Sequence, residues 1–311
     1  MAPRTGSEEL SPGTGNRSDE IRRVLERLYA KYNHRRLVKP DPLQFLYRYS
    51  KREDVEIVAL LASGLAYGRV RQIERSLTHL FEHMGKSPYD FVRNFDSDKR
   101  ARLKDFKHRF TAGDDISDLL ELLRDVYDRF GTIERFFARG YDRGDTNIIP
   151  ALSTFCDSLS AMYARRHNGR LSSGLKYLLA SPARGSACKR LNLFLRWMVR
   201  DDDVDPGLWK SVDAAKLIVP VDVHMGRLCK ILGLYDRKTV SLSAAVEITE
   251  SFVEIEPPDP VKYDFALSRI GIVENCDGSY RPECEHCELL DFCTGSEHYR
   301  GGWAKTEKAY A

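Results

Sequence analysis

Helical periodicity without strand alternation predicts an all-α fold for this chain of 311 residues. Apolar residues recur three and four apart through nearly every segment, no run sustains an alternation of period two, and the connections between periodic segments are short. No fixed repeat is present, which argues against a solenoid.

The first pattern is "SDEIRRVLERLYAKY", where Ile21, Val24, Leu25, Leu28 and Tyr32 share one face behind Ser18 as the expected cap. The seventeen residues before it are rich in Gly, Ser, Pro and Thr, carry no apolar leader and read as a disordered tail. A long second pattern places Ile57, Leu61 and Leu65 on one face and then Val70, Ile73, Leu77, Leu80 and Met84, interrupted by "ASGLAYG". Helices follow at Ile116 to Phe130, stopped by Gly131, at Thr132 to Ala138, and at Ile148 to Arg165. Later come "VDVHMGRLCKILGL", stopped at Gly233, then "SLSAAVEITESFVEI", then a helix opened by Asp259 as cap with Pro260 in its first turn.

Apolar residues make up 42% and charged residues 31%, and no apolar run approaches the ~20 residues a membrane span needs. A cytoplasmic protein is expected. The net charge of +3 hides a strong asymmetry, because Ala161 to Arg200 holds nine Lys or Arg and no acid. A block of one sign is the footprint of a polyanion binder, and the competing reading is an ordinary basic surface.

Of seven cysteines, Cys156, Cys188 and Cys229 sit in apolar periodic stretches and read as small buried side chains. The other four, in "NCDGSYRPECEHCELLDFC", follow C-x7-C-x2-C-x5-C through Cys276, Cys284, Cys287 and Cys293. In a reducing compartment such thiols are metal ligands rather than disulfides. Structural zinc sites usually pair two C-x2-C knuckles, and one is present. A 4Fe-4S cluster accommodates unequal spacings better, with zinc and free thiols as the alternatives. The closing "HYRGGWAKTEKAY" adds aromatic and basic groups able to cover a cluster or touch a phosphate.

This cysteine loop, preceded by "YDFALSRIGIVENC", resembles that of the endonuclease III-like iron-sulfur branch of the helix-hairpin-helix DNA glycosylase superfamily. A second motif agrees: "VPVDVHMGRLCKILGL" is similar to the superfamily's V-D-T-H-x-x-R segment. The resemblance runs from about Glu56 to Cys293, strongest after Lys189, and the pairing of "KRLNLFLRWMVR" with "VDVHMGRL" also resembles an uncharacterised bacterial and archaeal family. It implies two interleaved helical domains: an N-terminal helix and connection (18–55) packed on the C-terminal part, a bundle (56–177), and a domain (178–311) of hairpin, catalytic-aspartate helix and cluster loop.

The resemblance puts the catalytic carboxylate at Asp222, with His224 and Arg227 in DNA-facing positions. Breaking an N-glycosidic bond builds positive charge on the sugar, which an ionised carboxylate at a helix start suits. Read alone, Asp222 is a helix cap. Members with lyase activity add a lysine that forms a Schiff base after a glycine-rich hairpin. That hairpin is absent here, and "SPARGSACKRLNLFLRWM" is its nearest equivalent; the gap from Lys189 to Asp222, longer than is usual in the superfamily, resembles that of the archaeal 8-oxoguanine glycosylases. Lys189 is then the candidate nucleophile, with Lys210 and Lys216 ranked below it. Its helix, expected to begin near Ser186, presents backbone N–H groups, Gly185, Arg184 and Arg190 to phosphate.

A flipped-out base must be replaced in the stack. "ASGLAYGR" offers Leu65 or Tyr67 as wedge with Arg69 beside them, against the reading that Leu65 continues the apolar face. Tyr67 or Trp197 are candidates to stack on an extruded base. The expected function is base excision from double-stranded DNA carrying a damaged base or abasic site, by a nucleoid-associated monomer. The alternatives are a DNA-binding protein that keeps fold and cluster without turnover, and a zinc-stapled RNA-binding protein.

Overall fold

A computed structural model describes residues 15–167, 169, 171–273, 276, 279 and 281–295. Among them, fourteen α-helices and one two-stranded hairpin alternate with short 3₁₀ turns. In chain order these are α1 (Gly15–Tyr32), α2 (Arg52–Gly64), α3 (Val70–Met84), α4 (Pro88–Arg93), α5 (Ser97–Leu103), the strands β1 (Lys107–His108) and β2 (Thr111–Ala112), α6 (Gly113–Phe130), α7 (Ile133–Ala138) and α8 (Ile149–His167). They continue as α9 (Ser173–Leu178), α10 (Lys189–Val199), α11 (Val223–Ile231), α12 (Leu242–Ile255), α13 (Asp264–Val273) and α14 (Leu290–Gly295). The helical expectation holds. The hairpin departs from it, because two residues per strand are too few to display a period.

Local signals explain most boundaries. Thr132 and Ser241 accept the backbone N–H of Arg135 and Ala244 and so cap α7 and α12. Gly131 and Gly233 follow α6 and α11, where the apolar period stops. Helix α1 is already formed at Gly15, so Ser18 lies inside it rather than capping it. The expected tail lies otherwise outside the described residues, as does the closing "HYRGGWAKTEKAY". Asp259 and Pro260 do not open a helix either: they sit in turns, α13 starts at Asp264, and Asp259 faces Arg200 instead.

The buried apolar side chains form one connected core. At its centre α2 packs on α10, α1 lies on α12 and α13, α11 lies on α13, and α6 contacts α4, α5, α7, α8 and α9. Polar knots fix the register of these layers. Glu56 of α2 is fully buried and accepts from Trp209 Nε1 (2.8 Å), Tyr127 Oη (3.1 Å) and the backbone of Ile133 (3.2 Å). Its burial raises its pKa, with these donors opposing the rise.

Among the described residues, no helix is long and apolar enough to cross a membrane.

Candidate functional site

Helices α10 and α11 start side by side, and that meeting defines the site. Pro182–Arg184 makes a 3₁₀ turn, and Gly185 follows in the left-handed region (φ +81°), where a Cβ would be strained. Cys188 is also left-handed (φ +50°) at the N-cap, so α10 begins at Lys189 and not near Ser186. Lys189 therefore stands at the first position of its helix. Its ammonium donates to Asp222 Oδ2 at 2.8 Å, and both side chains keep 35% of their surface exposed. Asp222 in turn caps α11 by accepting Met225 N–H at 2.9 Å. The cap reading and the site reading of Asp222 thus describe two oxygens of one carboxylate.

Burial pushes the Asp222 carboxyl up, but the Lys189 ammonium, their hydrogen bond, the Met225 N–H and His224 outweigh it, and the pKa ends below the ordinary value. The group is held as an anion open to solvent on one side. His224 and Val223 are exposed beside it, and the His224 side chain lies over Gly271 of α13.

The residues between α10 and α11 are anchored throughout. Trp209 reaches Glu56, while Glu134 accepts the backbone N–H groups of Lys210 (2.8 Å) and Ser211 (2.9 Å). Lys216 Nζ donates to the Asp145 carbonyl (2.6 Å), and Lys210 Nζ to Asp201 (2.9 Å). Both lysines ranked below Lys189 thus point away from Asp222.

The remaining expected residues divide. Arg184 is exposed, with Asp157 at 3.9 Å, and Gly185 is exposed beside it. Ser186 is used locally, its Oγ accepting Cys188 N–H at 3.2 Å. Arg190 is turned inward: Nη1 donates to the Gly64 carbonyl at 2.7 Å, Nη2 to the Tyr177 carbonyl, and the guanidinium lies 3.8 Å from the Tyr177 ring centre. It braces α10 against α2 and is not presented to a phosphate. Arg227 Nη1 donates to the Cys276 carbonyl at 3.2 Å, joining α11 to the cysteine loop.

Leu65 is fully buried as the C-cap of α2, so the wedge reading fails for it and the packing reading holds. Trp197 is likewise fully buried and unavailable for stacking. Tyr67 is half-buried, its hydroxyl held by the His108 carbonyl and Thr111 Oγ1, both at 2.8 Å. Arg69 is exposed at the start of α3.

Part of the acid-free block is compensated by acids just beyond it and further along the chain. Arg196 and Arg200 are 2% and 4% exposed and sit among Asp205, Asp264, Asp202 and Asp259. Burial disfavours both cations, yet these aspartates outweigh it and raise them above ordinary arginine. Counting charge in a sequence window missed them, although the adjacent "DDDVD" (201–205) was a usable signal.

Cys276, Cys284, Cys287 and Cys293 all line one pocket, floored by Leu228 and Ile231 of α11, Ile270 of α13 and Leu289. Burial raises the Cys293 thiol, and the other three sulfurs raise it further. Among the described residues no three His, Cys, Asp or Glu side chains converge closely enough to chelate a single ion. Thiolates are donors that both iron-sulfur and zinc sites take, and four cysteines line this pocket. Cys156, Cys188 and Cys229 are buried away from it, with burial pushing all three thiols up.

Fold and site together define a predominantly helical protein with a solvent-open lysine–aspartate pair where two helices start, the second of which leads into a four-thiol pocket. The chain belongs to the DUF2400 family of proteins of unknown function, whose profile matches residues 41–273. The lysine–aspartate pair lies within the match and the four cysteines lie beyond it. No curated protein and no solved structure matches the chain.

Proposed function

We propose that the chain is a DNA base-excision glycosylase of the helix-hairpin-helix type, with Asp222 as its carboxylate and Lys189 as its amine. The observation that carries this reading is the 2.8 Å contact between two groups 33 residues apart, each at the start of its own helix and each open to solvent. Unlike Arg196 and Asp205, which are shielded from water, both groups stay within reach of a substrate.

The pair's chemistry suits a sugar carbon that becomes electron-poor. As the bond from C1′ to the base breaks, its electron pair leaves with the base, and the Asp222 anion stabilises the developing positive charge. Lys189 passes one proton, by way of Asp222, to the departing base and forms a bond from Nζ to C1′. The product is a protonated amine adduct that opens to a Schiff base, the precursor of strand cleavage. Where Lys189 only positions water, the same carboxylate supports simple base release.

Cys276, Cys284, Cys287 and Cys293 would hold a 4Fe-4S cluster. Bound there, a cluster would tie the loop to α11 and α13 and offset part of the charge of the four thiolates. The substrate is double-stranded DNA with a damaged base or abasic site, met by a monomer in the cytoplasm at the nucleoid.

Borohydride reduction on abasic-site duplex tests the reading. The protein becomes covalently trapped, Lys189→Ala abolishes trapping, and Lys210→Ala leaves it intact. Base release without trapping would keep the glycosylase and remove the lyase. DNA binding with neither activity would favour the non-enzymatic alternative, and a colourless, zinc-loaded preparation would favour the zinc-stapled one over the cluster.

A further inference from the structure

The hairpin sequence "KHRFTA" (107–112), between α5 and α6, has one large apolar residue among mostly polar ones, and the fold puts it at a tip. Phe110 follows β1 in the β1–β2 hairpin and is 64% exposed, the most exposed large hydrophobic side chain among the described residues. Exposure here does not mean looseness. The Phe110 ring lies nearly parallel to Tyr67 (5°, centroids 6.3 Å) and edge-on to Tyr177 (5.8 Å). The hairpin itself is pinned by His108, fully buried, whose ring nitrogens lie 3.0 Å from Ser76 Oγ and from the Tyr67 carbonyl.

A held, exposed aromatic ring is an expensive surface for a protein to keep in water, and its neighbours say what covers it. Arg109 lies 5.4 Å from the Phe110 ring centre and packs along Gly68, where a Cβ would approach Arg109 Cδ to 2.9 Å. Arg69 is exposed on that same loop, and Lys107 and Lys176 are exposed beside Phe110 and Tyr177 in sequence. A flat apolar face among cations matches a nucleobase between phosphates, since every base has a stacking face and every link an anion.

The connection to the lysine–aspartate pair is direct. Tyr177 packs under the Arg190 guanidinium, and Arg190 follows Lys189 on α10. We infer that Phe110 is the side chain that enters the base stack and holds it open, with Tyr67 as its backing and Arg109 on the adjoining phosphate. This assigns the wedge to the β1–β2 hairpin, which Leu65 is too buried to serve. The inference rests on the glycosylase reading and extends it to a residue outside the pair.

The test uses the full chain and a duplex with a tetrahydrofuran abasic-site analogue opposite 2-aminopurine, whose emission rises on unstacking. Wild-type protein binds and raises the emission. Phe110→Ala is expected to weaken binding about 5- to 150-fold, the loss typical of removing one stacked aromatic, and to abolish the emission rise, while Phe110→Trp restores both. Arg109→Ala should instead lower the salt dependence of binding. Truncation at an exposed tip leaves no cavity, so a folding defect is not expected, and rescue by tryptophan checks it.

Unchanged binding and emission in Phe110→Ala would overturn this inference and leave the Lys189–Asp222 reading standing. Loss that tryptophan cannot rescue would also overturn it. A wild-type protein that binds no such duplex would overturn the glycosylase reading and this inference with it.

Discussion

The two ends of α10 carry the same kind of interaction put to different uses. At its C-terminal end the buried Arg196 and Arg200 meet four aspartates, of which Asp205 and Asp264 are themselves buried. At its N-terminal end Lys189 meets a single aspartate, and both remain one-third exposed. The closed end joins α10 to the loop after it, to the turn before α13 and to α13 itself. The open end leaves two reactive groups adjacent and reachable. Between these two ends burial, and not charge, is what differs.

That contrast breaks most visibly at Arg196. Removing it leaves Asp205 and Asp264 buried with a partner missing, so Arg196→Ala should lose about 3–5 kcal/mol in urea unfolding. A smaller loss than that of Lys189→Ala would dissolve the distinction. Next comes Asp222→Asn, which keeps the cap because asparagine also accepts Met225 N–H. Folding should be little changed while base release falls about 10²- to 10³-fold, as when one preorganised electrostatic group is lost. A variant that excises at the wild-type rate would return Asp222 to a purely structural role.

Gly185→Ala follows, since the left-handed backbone there costs a residue with a Cβ about 1–2 kcal/mol, read as a lower thermal midpoint. The smallest effect is in pH. The Asp222 pKa is lower folded than unfolded, so its stabilising contribution is present above the unfolded value of about 3.9. It is lost as pH falls through the lower folded value. The stability difference between wild type and Asp222→Asn should be constant from neutrality down to roughly pH 5 and shrink below pH 4. A difference that instead varies between pH 6 and 8 would assign the linkage to another group.

The helices were legible because their signals are local: a cap, an apolar face, a stopping glycine. Thr132, Gly131 and Ser241 act within one turn of where they stand. Asp259 misled because a cap signal competes with distant partners, and Arg200 won it. Lys189 and Asp222 could be paired in sequence only through a motif, since their meeting depends on a connection held by Glu56 and Glu134. Phe110 had no periodic signal at all, and only exposure singles it out. The basic block holds fewer free cations than its sequence suggests for a related reason: Arg196 and Arg200 meet aspartates, and Arg190 the Gly64 carbonyl, that lie outside the window from Ala161 to Arg200.

Helix α11 gives the chain an order of completion. Its first turn is capped by Asp222, while Arg227, Leu228 and Ile231 reach the cysteine loop that arrives some fifty residues later. During synthesis Lys189 emerges first and its partner carboxylate second, but the far end of the partner's helix meets α13 only some forty residues later and the cysteine loop only after that. A nascent chain would thus hold both side chains of the pair before it holds the helix and loop that support α11.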